Sequence, residues 1–169
     1  MELDPLFKWL FETPLAVTIR ENESLFPWIE AIHVLAITLV IGSIAIVDFR
    51  LLGLASQDRA VTRLTRQVLP CTWTAFALAV ITGAALFSSN AVNYAHNFYL
   101  QGKMALLVLA GINMLFFHFV VSRDIQRWDT RSPPPLGVRF AGAASLILWI
   151  CVVGFGRWIG FTLQPTLTG

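Results

Sequence analysis

The side chains of this sequence that could do chemistry are few, and their spacing sorts them by depth once the apolar runs are taken as membrane spans. Glu30 precedes His33 by three positions, which puts carboxylate and imidazole on one helix face. Further along stand His96, Lys103, His118 and Arg157, and Asp48 and Arg50 close the first long apolar run. An imidazole can ligate haem iron or a transition metal, and a lysine or arginine at its depth can neutralise a propionate. An ionisable group within a span is costly enough to be a functional candidate by default. Cys71 and Cys151 fall at very different depths, so they read as packing residues rather than a disulfide. No thiol-rich metal motif, nucleophile elbow or glycine-rich phosphate loop occurs.

The elements that must position these groups follow from composition. The chain has 169 residues, 56% of them hydrophobic and 13% charged, with a formal net charge of +2. A soluble domain uses about 25% charged residues, so this is a membrane alphabet. It excludes a nucleic-acid binder working by phosphate neutralisation and a soluble phosphate-loop enzyme. Apolar runs predict spans at about 25–47, 68–87, 104–121 and 138–163, within a single transmembrane domain covering 1–169. The segment 5–20 is too short and too charged to cross. Asp4 before Pro5 and Thr13 before Pro14 read as two helix starts, and the pieces between them as an amphipathic interfacial foot. The expected fold class is therefore all-α: an integral membrane four-helix bundle with an N-terminal interfacial helix.

Basic residues set the orientation. Arg50, Arg59, Arg63 and Arg66 follow span one, and Arg123, Arg127, Arg131 and Arg139 follow span three, against Lys8, Arg20, Lys103 and Arg157 on the other side. The positive-inside rule then puts the Arg-rich loops in the cytoplasm and both termini outside, with the first span inserted uncleaved. Small residues such as Gly42, Gly83, Gly111 and Gly142 are read as sites of close helix packing. The Pro133–Pro135 run reads as a stiff connector.

Depth separates two groups. With about 1.5 Å of rise per residue, His33 lies roughly 9 Å inside the outer boundary and roughly 13 Å in depth from His118, too far for one haem or one metal ion. The outer half collects Glu30, His33, His96, Lys103 and Arg157; the inner half holds Asp48 and Arg50, read as an end-of-helix ion pair, and an interfacial His118. An imidazole at the depth of His33 needs a partner, from Glu30 or from a neighbouring helix.

Several landmarks carry a resemblance: Pro27-Trp-Ile-Glu-Ala-Ile-His33, Gly42, Asp48-Phe-Arg-Leu-Leu-Gly53, Thr82-Gly83, Gly102-Lys103 and Gly111-Ile-Asn113. Over nearly its whole length the chain resembles an uncharacterised family of small bacterial four-span membrane proteins. More remotely, a His early in span one and a Lys opening span three resemble the membrane protoporphyrinogen oxidase and copper-resistance D families. That likeness implies a bacterial inner-membrane bundle with His33 as an axial ligand of haem b and Lys103 as its companion.

Three functions follow as expectations. The first is a b-type haem protein for electron transfer or membrane oxidoreduction, in which His33, Lys103, Glu30 and Arg157 hold the cofactor, Trp28 and Trp158 line the pocket, and a quinone or redox protein is the partner. The second is a structural or accessory subunit without cofactor, with the lipid bilayer and a second copy of the chain, as a homodimer, for partners. The third is copper or other cation handling, with His33 and His96 as metal ligands beside Glu30; a scarcity of Met and Cys weakens it for copper.

Overall fold

A computed structural model describes residues 4–130 and 133–162 of the chain. In order they form α1 (Asp4–Phe11), α2 (Pro14–Glu21), α3 (Leu25–Leu52), α4 (Val61–Ser89), α5 (Ala91–Ala95), α6 (Phe98–Phe119), a 3₁₀ turn (Val121–Asp124), α7 (Ile125–Trp128) and α8 (Leu136–Thr162). Among the described residues there is no strand. Helices α3, α4, α6 and α8 are each long and apolar enough to cross a bilayer, so the chain is a multi-pass, all-α membrane protein built on four long helices. The end carrying α1 and α2 is called the outer end below, and the opposite one the inner end.

The spans are longer than the apolar runs that predicted them. Helix α4 starts at Val61 rather than near residue 68, because the polar turn of Thr62 to Gln67 stays helical beyond the apolar stretch. Its first turn is capped from across the chain: Asp129 accepts the Thr62 N–H at 2.8 Å and the Thr62 hydroxyl at 2.6 Å. Helix α6 starts at Phe98, where Asn97 accepts the N–H groups of Tyr99 and Leu100. It stops at Phe119, two residues before the expected 121. At the far end of α8, Leu163 lies outside the described residues, as do Arg131 and Asp4's side chain.

The N-terminal foot forms as two helices. Thr13 accepts the Ala16 N–H and Pro14 opens α2, as its spacing predicts. The foot does more than rest on an interface, however. Ala16 and Ile19 are buried, Phe7 meets Phe87 edge-on at 6.0 Å, and Arg20 lies 4.0 Å over the Phe11 ring while donating to the carbonyls of Phe11 and Ser89. Leu6, Trp9 and Leu15 are left exposed on its other side, the placement of an interfacial helix.

Helices pack in the order α4, α3, α8, α6, whereas α4 and α6 are not packed on one another. The bundle is therefore an arc with one open seam. The α3 to α8 contact is close at Gly142, where a Cβ would come within 3.0 Å of Leu51 Cβ and 3.1 Å of the Asp48 carbonyl. The packing role expected of Gly42 and Gly111 is not seen, since a Cβ at either would meet nothing within 4 Å. At the inner end Gly53 adopts a left-handed φ of 76° that terminates α3, and Pro134 from the proline run packs against it. Leu51, Val61, Trp128 and Val138 form a buried cluster there.

Candidate functional site

His33 sits on the face of α3 that packs on α4, and what it meets there is specific. Its Nδ1 is 2.9 Å from Thr82 Oγ1. Thr82 is itself buried, and its hydroxyl lies 2.7 Å from the Leu78 carbonyl and 3.3 Å from that of Ala79, one helical turn back. A hydroxyl has one hydrogen; directed at those carbonyls, it leaves Thr82 Oγ1 an acceptor toward the ring. This hydrogen-bond network assigns His33 the tautomer with Nδ1–H donating to Thr82 and with its lone pair on Nε2. The Ala79 carbonyl also faces the ring as an acceptor.

Gly83, the next residue, explains how the ring comes so close. A Cβ at Gly83 would lie 2.9 Å from His33 Cε1, so only glycine lets that edge of the imidazole come so close to α4. The Thr82-Gly83 pair is thus the seat of the histidine. The partner expected in Glu30 or a neighbouring helix is supplied by the helix.

The other expected site residues divide. Lys103 is largely withdrawn into the bundle; its stem covers Gly156 of α8, where a Cβ would sit 3.5 Å from Nζ, and its charge lies within electrostatic reach of His33. Those two share the outer half of the bundle within electrostatic reach of one another. Glu30 is exposed on α3 and acts on Tyr94 of α5 instead: burial, and then the Glu30 charge, push the Tyr94 phenol above its usual 10.0. Arg157 is exposed, 5.0 Å over the Phe161 ring of its own helix. His96 is exposed in the turn before α6. Among the described residues no three His, Cys, Asp or Glu side chains are grouped to hold a metal ion. Trp28 and Trp158, expected to line a pocket, are 68% and 54% exposed; they face outward, as tryptophans at a membrane interface do.

The inner half departs furthest from expectation. Asp48 and Arg50 do not form the end-of-helix ion pair, because two residues of helical spacing point them in different directions. Arg50 is fully buried and turns toward the inner end, where Nε donates to the Arg59 carbonyl at 2.8 Å and Nη2 to the Asp129 carbonyl at 3.1 Å. It ties together the two inner connections. Asp48, 4% exposed, faces a cavity of about 350 Å³ bounded by α3, α4, α6 and α8. Ser145 hydrogen-bonds its carboxyl, yet Oδ2 has no partner. His118 is exposed beside Phe119, with its carbonyl accepting from Ser122, which suits an interfacial residue. Both cysteines are free.

Thr82 was legible as part of a motif but not as the partner of His33, and nothing in the spacing of Asp48 reveals its cavity. The chain matches no curated protein and no solved structure. Residues 22–162, spanning all four long helices and the seat of His33, match one family model, and the chain belongs to that family, DUF6644, a family of unknown function.

Proposed function

We propose that the chain is a b-type haem-binding membrane protein in which His33 would supply a nitrogen ligand to the iron, serving electron transfer or a membrane oxidoreduction. One observation carries this reading: α4 takes the Nδ1–H of a histidine placed inside the bundle and so leaves the ring lone pair on Nε2, the tautomer in which protein histidines bind metal centres. The donor set fits haem better than a bare cation. A single imidazole with a lysine cation in reach suits an iron porphyrin bearing propionates, whereas a bare ion lacks a three-ligand cage among the described residues. Bound there, haem would supply one-electron chemistry.

The protein's own part is to orient and to charge-balance. Thr82 fixes the ring tautomer, Gly83 lets the ring sit against α4, and Lys103 would offer its ammonium to a propionate. Glu30 and Arg157 lie at the rim and act as outer electrostatic neighbours. In the orientation given by the Arg-rich loops, the site faces the periplasmic side of a bacterial inner membrane, with both termini on that side and a quinone or redox protein as electron partner.

The test is titration of haem into the detergent-purified protein. The reading predicts saturation at one haem per chain, with a Soret band that His33→Ala abolishes while helicity by circular dichroism is unchanged. Absence of a Soret shift in the wild type, or an identical spectrum in His33→Ala, refutes it.

A further inference from the structure

We infer that the inner-half cavity is a binding site for a membrane-dissolved amphiphile whose hydroxyl-bearing head hydrogen-bonds Asp48 and whose apolar body enters sideways between α4 and α6. This inference is independent of the haem reading.

Three observations converge on it. The first is an unmet polar atom. Asp48 lines the cavity wall at 4% exposure, Ser145 satisfies part of its carboxyl, and Oδ2, buried in that wall, has no partner. Arg50, the nearest cation in sequence, turns Nε and Nη2 to the carbonyls of Arg59 and Asp129, and its Nη1, though buried and unpartnered, forms no ion pair with Asp48. A buried carboxyl oxygen without a hydrogen bond is costly, and an incoming group that supplies one gains that penalty back as affinity. A hydroxyl suits the position because it both donates and accepts, so it satisfies a carboxylate and a carboxylic acid alike.

The second is the shape of the access. The buried cluster of Leu51, Val61, Trp128 and Val138 closes the inner end, and Val47 and Phe117, packed against it, also line the cavity. The cavity thus has a floor toward the inner surface. Its open side is the seam, where Leu69 and Trp73 of α4 and Met114 of α6 line the cavity yet are 42%, 49% and 48% exposed. A ligand arrives from the bilayer, not from water.

The third is fit. About 350 Å³ lies at the lower end of ligand-sized pockets, enough for one ring or glyceryl head with the first part of a chain. Beside Asp48 and Ser145 the lining is apolar except for Thr65, Thr72 and Asn113, the last of which spends an amide N–H on the Ala141 carbonyl at 3.1 Å. Gly111 also lines the cavity, and a Cβ there would meet nothing within 4 Å. It leaves room that a ligand can use.

The chemistry is shared by two lipid-soluble sources, quinols and diacylglycerols, which one experiment separates. The full chain, in phosphatidylcholine nanodiscs, is titrated with a bromophenol bearing a decyl chain, which quenches nearby tryptophans. Trp73 and Trp149 line the cavity among the six tryptophans of the chain. Saturable quenching is expected, lost when both become Phe. The methyl ether of the probe should bind about tenfold more weakly, the worth of one hydrogen bond. Asp48→Leu should erase the difference between phenol and ether, Gly111→Leu should weaken both, and His33→Ala should change neither. Displacement by a decyl-substituted benzoquinol alone identifies quinols as the source, and displacement by dioctanoylglycerol alone identifies glycerides. Displacement by both upholds the hydroxyl class, and displacement by neither overturns the inference. So does an ether that binds wild type as tightly as the phenol, a comparison that needs no variant to fold.

Discussion

The two halves of the bundle treat a buried polar side chain in opposite ways. In the outer half the structure satisfies it: Thr82 accepts from His33 at 2.9 Å, and Gly83 is kept free of a Cβ so that the ring can lie against α4. In the inner half the structure withholds satisfaction. Asp48 is buried deeper than His33, faces a cavity, and keeps Oδ2 unmatched even though Arg50 stands two residues away. A satisfied imidazole with one committed nitrogen is a held donor, fixed in orientation before anything binds. An unsatisfied carboxyl beside empty volume stores a cost that a ligand can remove. Depth alone does not distinguish these cases; the neighbouring helix does.

That contrast can be broken or sharpened by mutation, and the largest effect belongs to the seat of His33. Gly83→Val forces a side chain to within 2.9 Å of Cε1, and should abolish haem binding while destabilising the fold by about 1–3 kcal/mol through overpacking. Thr82→Val keeps the shape but removes the acceptor, and should weaken haem binding by about 10–100-fold, as loss of a metal ligand's hydrogen-bond partner does. Haem titration of both variants beside the wild type ranks them, and equal affinity in all three would dissolve the seat.

Arg50→Ala probes the inner half without touching the outer one. It empties a fully buried site and releases the carbonyls of Arg59 and Asp129, so it should lower stability by about 3 kcal/mol. The measurement is the thermal midpoint in detergent, and haem affinity should stay put. A smaller loss, about 1 kcal/mol, is expected for Asp129→Ala, which uncaps Thr62 at the start of α4. Amide exchange confined to the first turn of α4 would report it.

The smallest effect is a pH dependence at the outer rim. Tyr94 is held above 10.0 by burial and then by Glu30, so its neutral form is favoured in the folded state. The sign follows: this stabilisation is complete below pH 10.0 and is lost as pH rises through the higher, folded value. In a Tyr99→Phe background, phenolate absorbance should titrate above 10.0, and Glu30→Gln should move it back toward that value. No movement would place Glu30 out of reach of Tyr94.

Much of the architecture was legible because it rests on long apolar runs and on helix-start chemistry. Four spans and the break at Thr13-Pro14 follow from residue type and local spacing, whereas Trp28 and Trp158, expected to line a pocket, face outward. Helix ends were read less well, since polar turns such as Thr62 to Gln67 continue α4 past its apolar run, and their cap comes from Asp129, 67 residues away in sequence. The site was half legible. His33 stood out by depth, and Lys103 shares its neighbourhood, but Glu30, His96 and Arg157 share only its depth: each is exposed on a different part of the rim. Asp48 and Arg50 were paired on spacing alone, and the pairing failed because Arg50 finds backbone carbonyls from two loops. Tertiary contacts of that kind leave no periodic trace.

The central claim is that the outer half holds a metal-centre ligand and the inner half does not. Its most direct test is the reduced-minus-oxidised optical spectrum of the haem-loaded protein in three forms: wild type, His33→Ala and Asp48→Asn. A b-type difference spectrum is expected that is lost in His33→Ala and unchanged in Asp48→Asn; a spectrum that survives the loss of His33, or that vanishes with Asp48, contradicts a haem ligand in the outer half.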